Sequence, residues 1–485
     1  MAEKIKLRTN QQTGSDSPQL PAVDGNGEQQ AAIVSNSQPL DKDATNGKNA
    51  TLPKRIMIDI TFLLDQYANR GIGRYGREMA SRIVTHVAEH PGHGYQVHLM
   101  GFGELVQNLE LLELSKETID HIFIPLDEQA SLPVVFHSLG TAKLSSPLTN
   151  IRLYNSQIKP LVAQVNPDLY LAMHFDRGLP SKIAPTAVAI HDAIPLATGK
   201  FSAKGPVINF LKGIYYKSMW NRIKDAKLVL TSSEISRKDL INYGDLKPPQ
   251  IKVIYLGISE IFRSKNIPRN TKVIYETLAK YGIRTLVRGG VPKPTEYLFY
   301  DAGLELTKNP DKLLKIFAKI TDHYPDLGLV ITGGDFELNP LDGKFVTANE
   351  RSDNFARLAI ELGIGKHIIP TGRIPEADMA ILLSQAKAYI NMSGYEGFGF
   401  GPVQAMAAGV PAIVSDQPCF REISGDAALV VSTIDELQAS AKIIEFLSSP
   451  EQMQQSVKQG EELAQKYSWA ETFKQTWQEI NKLVG

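Results

Sequence analysis

The sequence contains a single cysteine, Cys419, among its 485 residues. One thiol cannot form a disulfide within the chain, and no Cys/His spacing typical of a zinc site surrounds it. The N-terminus lacks the basic, apolar and small-residue order of a signal peptide, and no run approaches the ~18 consecutive apolar residues that a membrane span needs. These absences predict a reducing compartment, and we expect a cytoplasmic protein.

The sequence also has no excess of positive or negative charge. Lysine and arginine together number 52, and aspartate and glutamate together number 52. This balance removes the sequence-independent attraction to phosphates on which nucleic-acid binders rely. We therefore expect no nucleic-acid partner.

The composition separates a tail from the rest of the chain. Residues 1–53 are rich in Gln, Asn, Ser, Asp and Gly and poor in aromatics, so they cannot bury enough apolar surface to offset the entropy of ordering. We predict a disordered tail over 1–53. The remaining length exceeds what one hydrophobic core usually supports, which predicts two domains.

Short apolar runs separated by amphipathic helical stretches recur through both halves. Runs without alternation are typical of parallel strands covered on both faces. The predicted strands span 55–60, 97–100, 169–172, 187–190, 228–230, 253–255, 297–300, 329–332, 367–369, 388–390, 412–414 and 428–431. This pattern predicts an α/β fold of two Rossmann-like, doubly wound parallel-sheet domains with a ligand cleft between them.

Domain boundaries follow from the same pattern. The first domain is predicted over 54–260 and the second over 296–467. The polar and turn-rich stretch 261–295 is predicted to connect them. A helical pattern over 468–485 predicts a terminal helix that packs back on the first domain.

The segment from Ser393 to Pro411 carries the strongest chemical signal. It follows a predicted strand and precedes a helix predicted to begin near Pro402, where proline is favoured. Glycines at 397, 399 and 401 permit close backbone approach, and free amides at a helix start bind phosphate. Because Glu396 and Gln404 flank these glycines, we favour a binding site over a simple tight turn.

This segment resembles the signature of the retaining GT-B glycosyltransferases of family four, the group 1 type, in which two glutamates are separated by seven residues. The resemblance implies that Glu396 contacts hydroxyls of the donor sugar. It also implies that Gln404 binds the nucleotide ribose, where the family has its second glutamate. An amide keeps an acceptor but loses the charge-assisted hydrogen bond of a carboxylate.

Further segments are similar to the same family in the same order, from about residue 54 to 485. Gly71-Ile72-Gly73-Arg74-Tyr75 resembles its glycine loop beside the diphosphate, and Ile190 to Leu196 resembles its HDxIPL segment, whose histidine, His191 here, lies over the reacting sugar. Lys308 and Asn309 match its RKN, with Thr307 in place of the arginine. Thr371-Gly372-Arg373-Ile374-Pro375 resembles the loop at the nucleotide base. Ser232 to Leu240 resembles a helix start that we interpret as structural capping, and Trp469 resembles a packing anchor of the terminal helix.

The resemblance assigns a complete set of site residues. His191 and Glu396 are expected to be catalytic, and His174 and Phe175 are expected on the acceptor side. The residues expected to bind the donor are Gly71, Gly73, Arg74, Lys308, Asn309, Arg373, Ile374, Gly397, Phe398, Gly399 and Gln404.

No metal and no cofactor are expected, because the only Asp-x-Asp spacing, Asp41-Lys42-Asp43, falls in the predicted tail. The expected partners are a nucleotide diphosphate sugar as co-substrate and a hydroxyl acceptor on a glycan or a lipid-linked molecule. A peripheral membrane contact stays open, since a lipid-linked acceptor would require it.

Two other interpretations stay open. Gln404 and Thr307 both replace charged residues that would bind a nucleotide in the family. This favours a weak or inactive GT-B homologue that binds a nucleotide or glycan in a regulatory role. Gly71, Gly73 and Gly76 also satisfy the G-x-G-x-x-G spacing of a dinucleotide oxidoreductase, but the acidic ribose-binding residue expected about 20 residues further on has no clear candidate at a strand end.

Overall fold

The computed structural model describes residues 52–64, 71–103, 105–122, 132–139, 147–175, 178–194, 219–283, 285–288, 291–333, 336–338, 345–347 and 349–485. The predicted tail, apart from residues 52 and 53, lies outside these ranges. So do Pro195 and Leu196 of the HDxIPL-like segment.

Parallel strands whose buried residues are mostly apolar form two sheets. The first has seven strands in the order β3-β2-β1-β4-β5-β6-β7, and the second has six in the order β14-β11-β10-β15-β16-β17. Every pairing within these two sheets is parallel. The predicted α/β class with two parallel sheets is therefore confirmed.

The strands of the first sheet are β1 Lys54–Asp59, β2 Tyr95–Phe102, β3 Val134–Leu139, β4 Leu169–Ala172, β5 Thr186–Ala189, β6 Leu228–Thr231 and β7 Ile251–Val253. Those of the second sheet are β10 Tyr297–Tyr300, β11 Gly328–Thr332, β14 Ile368–Gly372, β15 Ala388–Asn391, β16 Ala412–Ser415 and β17 Leu429–Val431. Two antiparallel hairpins pair β8 Thr285–Arg288 with β9 Val291–Pro294 and β12 Phe336–Leu338 with β13 Phe345–Thr347.

Helices cover the sheets, as parallel strands buried on both faces require. The described α-helices are α1 Gly71–Glu89, α2 Leu105–Leu111, α3 Lys116–Ile122, α4 Pro147–Leu153, α5 Lys159–Val165, α6 Glu234–Asn242, α7 Thr271–Lys280, α8 Pro310–Thr321, α9 Glu350–Glu361, α10 Glu376–Ser384, α11 Phe400–Ala407, α12 Pro418–Ser424, α13 Glu436–Ser448, α14 Pro450–Ala464 and α15 Trp469–Val484. Short 3-10 turns lie at Thr61–Leu64, Pro91–His93, Pro248–Gln250, Glu260–Phe262, Leu306–Lys308, Gly365–His367 and Gly425–Ala427, and a π-helical turn at Tyr154–Ile158. None of the helices in the described ranges is long and apolar enough to cross a membrane.

Several predicted bounds were wrong. Helix α1 already begins at Gly71, so the segment predicted as a glycine loop forms the first helical turn. Strand β7 ends at Val253, where a strand over 253–255 was predicted. Strand β3 and both hairpins were missed, because β3 lies in a stretch without a readable motif and the glycines at 289 and 290 were taken only as turn formers.

The two sheets share one arrangement at the point where strand order reverses. In the first sheet, Tyr170 of β4 donates a hydrogen bond to Asp59 at 3.0 Å. In the second, Tyr389 of β15 donates one to Asp301 at 2.6 Å. Each aspartate comes two residues after the residue that pairs with the tyrosine. Ligands of doubly wound sheets bind beyond the carboxyl ends of the strands at this reversal, so both aspartates mark a ligand-binding edge.

The terminal helix α15 returns to the first sheet. Ser468 caps it by accepting a hydrogen bond from the backbone N–H of Glu471 at 3.2 Å. The hydroxyl of Tyr95 on β2 donates to Asn481 at 3.1 Å, and the Tyr95 ring meets Trp477 edge-on, 5.1 Å between ring centroids. The last segment of the chain thus crosses from the second sheet back to the first.

Candidate functional site

The glycine loop, Ser393–Gly399, follows β15 and leads into α11. Asn391 fixes its first turn, because its side-chain oxygen accepts from the Ser393 amide at 2.9 Å and from the Ser393 hydroxyl at 2.7 Å. Gly399 ends the loop with φ +87°, a left-handed conformation that favours glycine. Helix α11 begins at Phe400, two residues before the predicted start at Pro402.

A second loop, which follows β10, packs directly on the glycine loop. The carbonyl of Thr307 accepts from the Gly394 amide at 2.8 Å. The Asn309 amide group donates to the carbonyl of Met392 at 3.0 Å, and Asn309 itself holds φ +49° at the start of α8. These bonds fix the position of Lys308 against the glycine loop.

Lys308 and Glu396 form the central ion pair. Nζ of Lys308 lies 2.7 Å from Oε1 of Glu396, and the side chains are 21% and 14% exposed. Burial lowers the pKa of Lys308, but the carboxylates of Glu396, Glu305 and Asp192 outweigh it and hold that pKa above its ordinary value. Lys308 is therefore a cation at neutral pH, and Oε1 of Glu396 is held beside it.

His191 follows β5 by two residues, and its carbonyl oxygen lies beside Gly397 of the glycine loop. Its ring meets Tyr75 edge-on, with 4.3 Å between centroids. Neither ring nitrogen has a hydrogen-bond partner among the described residues. Burial, with a contribution from His174, lowers the pKa of His191 to about 3. The imidazole of His191 is thus a buried, neutral ring at pH 7, and its two nitrogens keep their hydrogen-bonding capacity.

The two halves of the site touch at Gly397. A Cβ atom on this residue would lie 2.3 Å from the carbonyl oxygen of His191 and 2.9 Å from Cβ of Asp192. Only glycine permits this approach without displacement. The His191 segment and the glycine loop are therefore in backbone contact across the cleft.

Three serine hydroxyls hold the same contact. The carbonyl of Gly397 lies 2.7 Å from the hydroxyl of Ser233 and 3.1 Å from those of Ser232 and Ser236. Ser236 also donates to the carbonyl of His191 at 2.8 Å. Ser233 is the N-cap of α6 and accepts from the Ser236 amide, so the predicted capping role is present, but these serines also bridge the two sheets. No sequence pattern indicates this second role.

Asp301 and Asp192 are site residues that sequence reasoning missed. Burial raises the pKa of each carboxyl. Oδ1 of Asp301 and the Tyr389 hydroxyl lie so close to Gly401 that a Cβ there would be 2.5 Å and 2.0 Å from them. The position of Asp301 directly after the predicted strand 297–300 was the available signal, and Asp192 lies beside the predicted His191.

Helix α1 brings its predicted residues to the second sheet. A Cβ on Gly71 would lie 2.9 Å from the Phe400 ring. Arg74 lies over that ring, 5.5 Å from its centroid, and forms an ion pair with Glu376. Gly73 is buried in α1. Arg74 is thus engaged across the cleft, in contact with the first residue of α11.

The remaining predicted residues lie further from the ion pair or inside the fold. Arg373 is exposed after β14, an edge strand two places from β10, and Ile374 packs on the apolar core. Phe398 and Gln404 are buried. The rings of His174 and Phe175 meet each other, 5.4 Å between centroids, and Phe175 meets Trp220 at 6.0 Å.

Metal-ligating side chains are not clustered in the described ranges: no group of three or more His, Cys, Asp or Glu is placed to hold an ion there. The charged groups that act on one another in this region include Lys308, Glu396, Asp301 and Asp192.

Comparison with known proteins identifies the second half of the chain. Residues 287–463 match the family model of the glycosyl transferases group 1. This region is similar to the group 1 glycosyl transferases over about 180 residues. It contains Lys308, Glu396 and the whole glycine loop.

Relatives of this chain match it over a longer stretch than residues 287–463. O-antigen chain mannosyltransferase B of Escherichia coli is 25% identical over 303 residues, which cover 61% of this chain and 70% of that protein. The serotype-specific mannosyltransferase WbdA of E. coli is 22% identical over 441 residues, 86% of this chain but 46% of WbdA. The chain thus spans less than half the length of WbdA.

The fold is that of GT-B glycosyltransferases. The Anabaena protein HepE, solved in complex with UDP-glucose, superposes with a TM-score of 0.62 at 14% identity, over 88% of this chain and 99% of HepE. The predicted resemblance to group 1 glycosyltransferases of the GT-B fold is therefore confirmed.

Proposed function

We propose that the protein is a retaining glycosyltransferase that moves a hexose from a nucleotide diphosphate sugar to a hydroxyl acceptor in the cleft between the two sheets. The observation that carries this proposal is the Lys308–Glu396 ion pair, held on two loops of which the glycine loop meets the His191 segment at Gly397. The proposal uses a cation for phosphate, a carboxylate for sugar hydroxyls and the neutral imidazole of His191. The match of residues 287–463 to the group 1 family supports it.

Each group has a distinct task in this proposal. Lys308 contacts the diphosphate as a point charge. Glu396 accepts hydrogen bonds from hydroxyls of the donor sugar, and its bond to Lys308 orients it. His191, neutral at pH 7 because its pKa is near 3, hydrogen-bonds the sugar without adding charge. Asn309 fixes the loop that carries Lys308.

The transfer step breaks the bond between the anomeric carbon and the diphosphate oxygen. The acceptor hydroxyl attacks the same face of the oxocarbenium-like sugar, so the anomeric configuration is retained. The hydroxyl proton passes to the departing phosphate oxygen, and the developing charge is stabilised by Lys308 and by the amides at the start of α11. We propose that the reaction needs no metal ion, since these groups supply the positive charge.

Relatives suggest the substrate classes. Two of them are named mannosyltransferases, one for the O-antigen chain, and HepE was solved with UDP-glucose. We propose a hexosyl donor of the GDP-mannose or UDP-glucose type and a glycan or lipid-linked acceptor in polysaccharide biosynthesis. A lipid-linked acceptor implies peripheral contact with a membrane from the cytoplasmic side.

The first experiment is a thermal-unfolding screen of the full chain with GDP, UDP and a panel of their sugars, with and without EDTA. A ligand that binds only the folded state raises the unfolding temperature. The sugar that stabilises most is then incubated with glycan acceptors, and proton NMR reads the new linkage. An α-linkage from an α-configured donor is expected, with EDTA present; a β-linkage refutes retention, and loss of transfer in EDTA refutes metal independence.

A regulatory binder is the second candidate. Lys308 is already paired with Glu396, and buried Gln404 is neutral where the family has a carboxylate, so both donor-binding contacts are weakened. In the same screen, stabilisation by a nucleotide without turnover of any sugar donor favours the binder over the transferase.

A further inference from the structure

Helix α12, Pro418–Ser424, holds the glycine loop with one face. The thiol of Cys419 donates to the carbonyl of Phe398 at 3.2 Å. The ring of Phe420 fills the space beside Gly399, where a Cβ would lie 2.6 Å from it. The loop that carries Glu396 is thus packed against α12 immediately before α11 begins.

The same helix reaches the first sheet's half of the molecule through Glu422. Its Oε1 accepts from the backbone N–H of Glu234 at 2.7 Å, and its Oε2 accepts from that of Ile235 at 3.1 Å. The hydroxyl of Tyr255 also donates to Oε1 at 3.1 Å. A carboxylate from the second sheet's half therefore binds the first turn of α6.

This contact satisfies donors that a helix cannot satisfy itself. The first four N–H groups of a helix lack intrahelical partners, and Ser233 accepts only from Ser236. Glu422 takes the two N–H groups that precede it, and a negative charge is favoured at this end of the helix dipole. Hydrogen bonds to an ionised acceptor are stronger than neutral ones, so Glu422 is a strong link between α12 and α6.

Glu422 and the serines converge on the same stretch of backbone. Ser233, the N-cap of α6, binds the Gly397 carbonyl at 2.7 Å, while α12 binds the next carbonyl, that of Phe398. Tyr395 adds a bond from the glycine loop to Asp239 on α6. A movement of α6 relative to α12 therefore displaces the loop on which Glu396 lies.

We propose that Glu422 is a positioning residue that couples closure of the cleft to the geometry of the glycine loop. This inference rests on the proposed function. Lys308, Glu396 and the loop amides belong to the second sheet's half, and Glu422 contacts none of them directly, so we expect nucleotide binding to change little when Glu422 is replaced. Transfer needs His191 and Glu396 together, and this arrangement depends on Glu422.

The test is Glu422→Gln in the full chain, because an amide donor would then face a backbone donor. The variant is expected to bind GDP or UDP, whichever stabilises the wild type, within about twofold, while its kcat for transfer falls about tenfold. Amide hydrogen exchange is expected to accelerate both at Glu234 and Ile235 and across Ser393–Gly399. Tyr255→Phe removes one donor and should shift both readouts in the same direction by less. Glu445→Gln, an exposed glutamate of α13, is the matched control and should change neither.

Two results overturn the proposal. In the first, exchange accelerates at α6 alone and kcat is unchanged, which makes Glu422 a cap without coupling. In the second, nucleotide affinity falls as much as kcat, which means that Glu422 acts within the half that contains the second sheet and not between the halves. If the wild type transfers no sugar, the proposed function fails, and the exchange at Ser393–Gly399 still decides the coupling.

Discussion

Nζ of Lys308 lies 2.7 Å from Oε1 of Glu396, at the point where the loops after β10 and β15 meet. The glycine loop that carries Glu396 also meets the His191 segment, since a Cβ on Gly397 would lie 2.3 Å from the His191 carbonyl oxygen. Under the proposed function, a diphosphate that binds Lys308 shares this cation with Glu396. The carboxylate keeps further lone pairs for sugar hydroxyls, so the proposal links phosphate binding to sugar binding.

Replacing Lys308 by alanine is expected to weaken binding of the nucleoside diphosphate by at least about tenfold. A hydrogen bond to a charged group contributes about 1.5–3 kcal/mol, and the substitution also removes the only positive partner seen for Glu396 among the described residues. Isothermal titration measures the affinity. Lys315→Ala on α8 is the control, since Lys315 is exposed and pairs with Glu436 at 3.8 Å. Equal affinities for the two variants would remove Lys308 from the site.

Gly397→Ala is expected to force the two halves of the cleft apart. The new Cβ would lie 2.3 Å from the His191 carbonyl oxygen, and overpacking of this kind costs about 1–3 kcal/mol. Transfer should fall at least tenfold, and chemical denaturation should show lower stability. Gly365→Ala is the matched control, because its Cβ would meet nothing closer than 3.5 Å. A fully active Gly397→Ala protein would show that closure at this point is not needed.

Arg74 can affect donor binding through its ion pair with Glu376 or by contacting the donor itself. Substitutions of both residues separate these two roles. If its role is the ion pair with Glu376, Arg74→Gln and Glu376→Gln should raise KM for the donor equally. We expect Arg74→Gln to raise it several-fold more, because Arg74 also lies over Phe400 at the start of α11. Steady-state kinetics over both single variants and the double variant measures this. Identical single-variant effects contradict a donor contact.

The depressed pKa of His191 predicts a pH dependence of stability. Its ordinary pKa is about 6.5, so between pH 6.5 and 3 the unfolded chain binds a proton that the folded chain does not. The stability that comes from burying a neutral His191 is therefore fully present above pH 6.5, and it is lost as the pH falls from 6.5 towards 3. Between pH 7 and 5 this residue should lower the free energy of unfolding by up to about 2 kcal/mol, and urea titration of His191→Asn should show a correspondingly flatter profile.

His98 provides an internal comparison for that experiment. Burial, with the charges of His137 and Arg55, also lowers its pKa to about 3, and its Nδ1 lies 2.9 Å from Nε2 of His137. His98→Asn should flatten the profile by a similar amount, but only His191→Asn should reduce transfer. An unchanged pH profile in both variants would refute neutral burial of these rings.

Sequence reasoning found the sheets because buried parallel strands are apolar on both faces. Runs such as Tyr297–Tyr300 and Leu169–Ala172 therefore stand out without any partner being known. The same reasoning placed Lys308 and Glu396 at strand ends, where doubly wound folds bind ligands. It could not show that these two side chains pair with each other.

Contacts between segments that are distant in the sequence could not be predicted. Ser233 and Gly397 are 164 positions apart, and a serine before a helix reads as an ordinary N-cap whether or not it also binds another loop. Glu422 is one of many glutamates on helices, and only the packing of α12 against α6 brings its carboxylate to the first turn of α6. Asp301 was accessible from its position after β10, but no local pattern marked its bond to Tyr389.

The most direct test of the account is turnover of the donor selected in the nucleotide-sugar screen by Glu396→Ala, with circular dichroism and the unfolding temperature as folding controls. The account predicts a loss of transfer of at least about 100-fold, since removing a preorganised polar group from a transition-state site costs about 2.7–4 kcal/mol, in a protein that folds as the wild type does. Wild-type turnover by this variant would contradict the assignment of the cleft as the site of glycosyl transfer.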